Sequence, residues 1–171
     1  MIIRLFDVQN KTVVPTEHCY TLSTLKTIMD NYPDDYLSIY QYLFYMTCPN
    51  PDMNPFFHYP EIDKEEIILE EVNAEFSTED PEIISALAFC KKLYETPTSR
   101  AYNGIKQALD RIANYMAKTP ITDGKDGNIN QIRAMAKDFE SIRQSFKGAY
   151  KDLQDEQQSS VRGGQSLAYD S

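Results

Sequence analysis

Two histidines and three cysteines are the side chains of this sequence best suited to nucleophilic or metal chemistry. His18 adjoins Cys19, but neighbouring residues rarely direct both side chains at one atom, and no third ligand is spaced to help them. Cys48 and His58 flank one proline-rich segment, yet an activated thiol also needs a base that a third group holds in place. Because neither pair forms a catalytic motif, we expect the protein not to be an enzyme.

Clustered carboxylates are the second candidate for chemistry. Glu65, Glu66, Glu70 and Glu71 crowd a short segment, and Glu66 lies one helical turn before Glu70. A carboxylate-bridged metal pair also requires Glu-x-x-His motifs on facing helices, and no histidine follows position 58. We therefore interpret the four glutamates as an acidic surface, and we expect no metal and no cofactor.

The negative charge of the chain is confined to one segment. The 171 residues carry a net charge of −9, and residues 61–82 hold ten acids and a single lysine. The remaining 16 acids and 16 bases cancel. A basic patch is the usual signature of nucleic-acid binding, so this distribution argues against direct contact with nucleic acid. It is compatible with a local acidic surface that faces a basic partner.

The other possible ligand-binding motifs are incomplete. The turn at 123–127 has the sequence Asp-Gly-Lys-Asp-Gly, but it lacks the spaced ligands and final glutamate of an EF-hand. Gly163-Gly164 has neither the preceding strand nor the following Lys-Ser/Thr of a phosphate loop. The three cysteines form no CxxC pair, which predicts buried thiols in a reducing compartment.

The elements that position these residues are mostly helices. Two β-branched runs around the turn Gln9-Asn10-Lys11 predict an N-terminal β-hairpin over 1–15. Asp63 and Glu66 are predicted to form a capping box, while Asp80-Pro81 and Thr96-Pro97 each place proline directly after a capping residue. The predicted helices span about 23–31, 35–47, 63–76, 81–94, 97–118 and 128–155.

The last two predicted helices carry apolar residues every three and four positions, which is typical of a coiled-coil seam. The seam positions are Tyr102, Ile105, Leu109, Ile112 and Met116, then Ile132, Met135, Phe139, Ile142, Phe146, Ala149 and Leu153. A short turn joins the two helices, so an antiparallel helical hairpin is predicted over 97–155. The fold class is thus mainly α, with one domain over 1–156 and an extended polar tail over 157–171.

Aromatic residues are concentrated between Tyr32 and Tyr59, and this stretch suits either the core of the fold or a protein interface. Its second half, 48–60, contains four prolines and must be an irregular connector. The connector and the tail cannot form regular structure by themselves, so we expect both to contact partners. The candidate contact residues are Met53, Phe56, Phe57, Tyr59, Val161, Leu167 and Tyr169. The alternative for Phe56 and Phe57 is that they fold back onto the helices of this chain.

Several segments in this order resemble small virion structural proteins of tailed bacteriophages, especially crAss-like phages. They are an aromatic helix, Asn54-Pro55-Phe56-Phe57, the acidic run 65–71, Asp80-Pro81-Glu82, and 95–102 at the start of a long helix. The resemblance covers roughly residues 34–120. It implies a subunit associated with the portal vertex, neck or capsid, present in several copies. It assigns no role to any single residue.

The sequence thus predicts a non-catalytic structural subunit of a phage virion that binds portal, capsid or ring proteins. No signal peptide or membrane-spanning stretch is evident, so we expect synthesis in the host cytoplasm, location in the virion and no contact with membranes. The alternative is an acidic regulatory protein that binds a basic, nucleic-acid-binding partner through residues 61–82.

Overall fold

The structure, a computed structural model, describes residues 4–10 and 12–165, with the backbone alone for 160–165. It confirms a mainly helical fold that begins with a two-stranded antiparallel hairpin. The strands are β1 (Phe6–Gln9) and β2 (Thr12–Pro15). The helices are α1 (Glu17–Thr21), α2 (Ser23–Asn31), α3 (Tyr36–Thr47), α4 (Glu61–Glu71), α5 (Pro81–Tyr94), α6 (Pro97–Lys118) and α7 (Ile129–Gln165).

The chain divides into two compact units at the boundary between Glu95 and Thr96. The N-terminal unit contains the hairpin and helices α1 to α5, and the C-terminal unit contains α6 and α7. The sequence, in contrast, predicts one domain over 1–156. The division follows from the apolar stripes of α6 and α7, which pack along each other and make that pair compact by itself.

The β-hairpin has the register that a two-residue turn imposes. Gln9 pairs with Thr12 and Phe6 pairs with Pro15. Asn10 has a φ of 51°, in the left-handed region that asparagine tolerates better than most residues. A lone hairpin is marginally stable in water, and here Phe6 packs its ring against Tyr40, with ring centroids 5.7 Å apart.

Helix α3 forms the centre of the N-terminal unit, which decides between the two interpretations of the aromatic stretch. Ile39, Tyr40, Tyr42, Leu43 and Phe44 are all at most 1% exposed. The β-hairpin, α4 and α5 all contact this helix. Tyr40, Tyr42 and Phe44 are therefore core residues, because their surfaces are already buried within this chain.

Two predicted helix starts are confirmed in detail. The Asp80 carboxylate accepts a hydrogen bond from the Glu82 amide at the start of α5. Thr96 and Ser99 form a capping box at the start of α6, in which the Ser99 amide donates to Thr96 Oγ1 and the Thr96 amide donates to Ser99 Oγ. Each cap satisfies amides that the first turn of a helix leaves unpaired.

The predicted capping box of Asp63 and Glu66 is wrong. Helix α4 begins at Glu61 with Pro60 as its cap residue, and no side chain caps it. Asp63 therefore lies in the first turn, where its charge favours the positive end of the helix. The helix also ends earlier than predicted, because Asn73 has a φ of 48° and the Ala74 amide donates back to the Leu69 carbonyl.

Replacing Thr96 with alanine should lower the free energy of unfolding by about 1–2 kcal/mol. The change removes the cap and also the hydrogen bond from Thr96 Oγ1 to Glu156, 2.9 Å long. Thr96→Ser keeps both hydroxyl contacts and should stay within about 0.5 kcal/mol of the wild type. Urea unfolding followed by circular dichroism measures both, and equal losses for the two variants would contradict a role for the hydroxyl.

The predicted helical hairpin of α6 and α7 is present, but the predicted tail begins inside a helix. Helix α7 continues to Gln165, whereas the sequence analysis ended it at 155. The segment after Asp155 is polar, but it begins with Glu156, Gln157 and Gln158, which are good helix formers, and contains no proline; Gly163 and Gly164 disfavour only its last turn. The side chain of Val161, together with Leu167 and Tyr169, lies outside the described residues.

Candidate partner-binding surface

The connector 48–60 does not present its phenylalanines to solvent. Phe56 is 8% exposed and Phe57 is 6% exposed. Phe56 packs edge-on against Tyr45 of α3, with ring centroids 4.9 Å apart, and Met53 is partly buried against the same core. Only Tyr59 of the four predicted contact residues is exposed, at 41%. The prolines exclude regular structure, but a series of turns still folds the connector onto α3.

Asn54 holds the connector in this position, and the sequence analysis did not identify it. The side chain is 1% exposed. Its Nδ2 donates to the carbonyls of Tyr45 (2.9 Å) and Cys48 (3.1 Å), and its Oδ1 accepts from the Phe56 amide (3.0 Å). A buried polar group is retained where its hydrogen bonds are satisfied, so Asn54 joins the end of α3 to the connector.

The acidic surface is an open cleft between α4 and the loop that follows it. Four carboxylates line it: Glu65, Glu66, Glu70 and Glu79. The other lining side chains are Ile62, Leu69, Asn73, Ala74, Phe76, Ser77 and Thr78. No lysine or arginine is among the described residues that line this cleft, so its negative charge is not balanced locally.

Apolar side chains lie among these carboxylates. Ile62 is 86% exposed, the most exposed large apolar side chain of the described residues. Ile62, Glu66 and Leu69 follow the spacing of one helix face, which is the sequence signal that could have identified the cleft. Phe76 lies beneath, with its ring centroid 5.7 Å from that of Tyr42. The cleft thus combines apolar and acidic side chains.

The carboxylates of α4 differ in their contacts. Lys64, the one base of the acidic segment, is 5% exposed and lies 3.8 Å from Glu61 Oε1. The Tyr42 hydroxyl donates a hydrogen bond of 2.6 Å to Glu65, and burial together with this bond raises the pKa of Tyr42. Glu66, Glu70 and Glu71 are exposed to solvent.

Two of these carboxylates lie where they destabilise the helix. Glu70 and Glu71 occupy the last turn of α4, which contains no basic residue. The carboxyl end of a helix carries a partial negative charge, so each acid there costs about 0.3–1 kcal/mol. The two charges therefore add to the acidity of this surface at a cost to the stability of α4.

The structure separates the residues that could have formed a nucleophilic site. Cys19 is buried and donates through Sγ to the Leu5 carbonyl, while the neighbouring His18 is exposed. Cys48 is buried and His58 is exposed. Burial raises the pKa of Cys19 and Cys48 to about 11 and of Cys90 to about 12. The three thiols therefore stay protonated and unreactive at neutral pH.

Among the described residues, no group of three or more His, Cys, Asp or Glu side chains is placed to hold a metal ion. Among the same residues, no helix combines the length and hydrophobicity needed to cross a membrane.

The fold and the cleft describe a helical protein with an acidic, partly apolar surface. Comparison with protein families, characterised proteins and solved structures finds no match to the chain.

Proposed function

We propose that this protein is a non-catalytic binding subunit whose acidic cleft receives a basic segment of another protein. The observation that carries the proposal is the cleft itself, where Glu65, Glu66, Glu70 and Glu79 surround apolar side chains without a balancing base. A segment with lysine or arginine on either side of one apolar residue would complement it. Apolar contact supplies affinity, and charge supplies orientation and partner choice.

In its more specific form, the proposal is that the chain is a structural subunit of a phage virion that contacts portal, capsid or ring proteins. The support is the sequence resemblance over residues 34–120. A virion subunit works by contacts rather than by chemistry, and it must recognise one neighbour among many similar surfaces. Charge complementarity at a cleft provides that selectivity, because mismatched charges are costly at an interface.

The double variant Glu66→Lys/Glu70→Lys should block this contact, because it reverses two charges on the rim of the cleft. In a phage that encodes the chain, we expect quantitative mass spectrometry of purified particles to find the variant depleted at least about tenfold. The double variant Asp110→Lys/Asp138→Lys makes the same change in net charge at exposed or partly exposed sites on α6 and α7, and should be incorporated normally.

Absence of the wild-type chain from purified particles would contradict the virion assignment. The same cleft favours a second candidate, an acidic regulatory protein that binds a nucleic-acid-binding protein. That candidate requires the chain to be absent from particles and to bind a basic cellular or phage protein, with the binding lost in the cleft variant and kept in the control. Particle composition therefore separates the two functions, and the cleft variant tests the surface common to both.

A further inference from the structure

The outer edge of β1 carries backbone groups that β2 does not engage. Hydrogen-bonded and non-hydrogen-bonded pairs alternate along an antiparallel ladder, and Gln9 with Thr12 closes the two-residue turn as a hydrogen-bonded pair. The next pair, Val8 with Val13, is therefore not hydrogen-bonded. The amide and the carbonyl of Val8 point away from β2, and an edge of this kind can pair with a strand of another chain.

The sequence around β1 has the composition of a strand that pairs readily with other chains. The run 2–8 reads Ile-Ile-Arg-Leu-Phe-Asp-Val, with five large apolar residues and neither proline nor glycine. Short apolar runs without proline pair edge to edge when they are exposed. Arg4 and Asp7 are the two charged residues of this run. Charges at such positions are a common protection against pairing, which directs attention to what these two side chains contact.

The Asp7 carboxylate occupies the outward-pointing amide. Its Oδ1 accepts a hydrogen bond of 2.9 Å from the Val8 amide and lies 3.0 Å from Nη2 of Arg4. Nη2 of Arg4 also lies 3.9 Å from Sδ of Met53 in the connector. A hydrogen bond to an ionised acceptor is stronger than one to a neutral acceptor, so the carbonyl of an incoming strand competes poorly for the Val8 amide.

We propose that Asp7, positioned by Arg4, keeps β1 from pairing edge to edge with β1 of a second copy of the chain. Two identical edges related by a two-fold axis present the same groups to each other, so both copies would have to release the Val8 amide from Asp7. The contact therefore opposes the pairing twice. The inference is independent of the acidic cleft, which is formed by α4 and the loop that follows it.

Sedimentation velocity of the full-length chain tests the role of Asp7. Asp7→Ala should raise the self-association constant at least about tenfold above that of the wild type, because it frees the Val8 amide and removes the charge from the edge. Infrared spectroscopy should detect intermolecular β-sheet in the associated fraction, and circular dichroism verifies that the helices remain. If Asp7→Ala associates no more strongly than the wild type, the proposal is wrong.

Asp52→Ala is the matched control, because it removes the same charge from an exposed residue outside the hairpin. Asp52 lines one cavity together with Arg4 and Val8, so the charge is removed from the same region of the surface. The self-association constant of Asp52→Ala should stay within about twofold of the wild type. Equal increases for Asp7→Ala and Asp52→Ala would assign the effect to net charge and overturn the proposal.

Proline at position 8 tests whether the Val8 amide is the group that pairs. Val8→Pro removes a donor that β2 does not use, and proline is tolerated where the amide of a strand faces outward. The double variant Asp7→Ala/Val8→Pro should therefore return to within about twofold of the self-association constant of the wild type. Association as strong as that of Asp7→Ala alone would contradict pairing through this amide.

Hydrogen exchange of the wild type applies even if a variant fails to fold. At a concentration where the chain is monomeric, the Val8 amide should exchange at least about tenfold more slowly than in the unfolded chain, because the Asp7 carboxylate holds its hydrogen. Exchange at the rate of the unfolded chain would show that the carboxylate does not hold the amide, and the proposal would fail.

Discussion

Replacing Phe56 with alanine should lower the free energy of unfolding of the N-terminal unit by about 3–5 kcal/mol. Phe56 is 8% exposed, and its ring lies 4.9 Å from Tyr45 and 5.8 Å from Tyr59 between ring centroids. Truncation removes these contacts and leaves a cavity that the prolines around it prevent the connector from filling. The loss is that of a core residue, although the segment has no regular secondary structure.

The native cysteines report the stability of the N-terminal unit, which contains Phe56. All three are buried and lie within residues 1–95, so their alkylation in increasing urea follows the opening of the N-terminal unit alone. Phe56→Ala should shift the midpoint of thiol exposure to lower urea.

Ile62→Ala is the control for the loss of a large apolar side chain. Ile62 lies on the adjoining helix α4, and its side chain is 86% exposed. Its effect should stay within about 0.5 kcal/mol. If Phe56→Ala left the midpoint unchanged but abolished binding to a partner, Phe56 would belong to an interface, as the sequence analysis predicted.

The burial of Phe56 shows which features of the fold local sequence could predict. Strand alternation, proline positions and caps act within a few residues, so the hairpin and the starts at Asp80 and Thr96 were predictable. The folding of the connector depends on contacts between residues far apart in sequence. For example, Arg4 approaches Met53, and their separation of 49 positions has no local signature.

The end of helix α7 was predicted wrongly for a different reason: a polar sequence was interpreted as an unstructured tail. Residues after Asp155 have no apolar seam, but helix propensity and the absence of proline still favour a helix, and Ser159 Oγ donates back to the Asp155 carbonyl.

The acidic cleft was predicted in part. Glu65, Glu66 and Glu70 were identified from charge alone, whereas Phe76 and Glu79 join them only because α4 ends at Glu71. The left-handed backbone of Asn73 reverses the chain at this point. Such a turn depends on one residue, and the apolar period of α4 continued past it in the sequence.

Asn54→Asp should be as damaging as the loss of a core aromatic residue, with a cost of about 3–5 kcal/mol at pH 7. The substitution keeps the size of the side chain and the acceptor for the Phe56 amide. It replaces the Nδ2 donor with a carboxylate oxygen that faces the carbonyls of Tyr45 and Cys48. A buried carboxylate directed at two carbonyl oxygens loses its hydration and is repelled by both oxygens.

The loss of stability caused by Asn54→Asp should depend on pH, because the introduced carboxyl binds its proton with different affinity in the folded and the unfolded state. Burial beside two carbonyls raises the pKa of the introduced carboxyl above its ordinary value of about 3.9. The protonated acid can again donate to one carbonyl, so the stability of the variant relative to wild type falls as pH rises through the raised pKa. Urea unfolding by circular dichroism should therefore give a smaller deficit at pH 5 than at pH 7.

Asn50→Asp is the matched control for Asn54→Asp, because it makes the same change in the same connector. The Asn50 Oδ1 accepts a hydrogen bond from the Asp52 amide at 2.9 Å, and a carboxylate accepts that bond equally well. We expect its effect to be within about 0.5 kcal/mol and nearly independent of pH. Equal and pH-independent losses for the two variants would mean that negative charge in the connector, and not the two amide donors of Asn54, is responsible. Selective loss at position 54 would instead establish that one buried amide holds the proline-rich segment against α3.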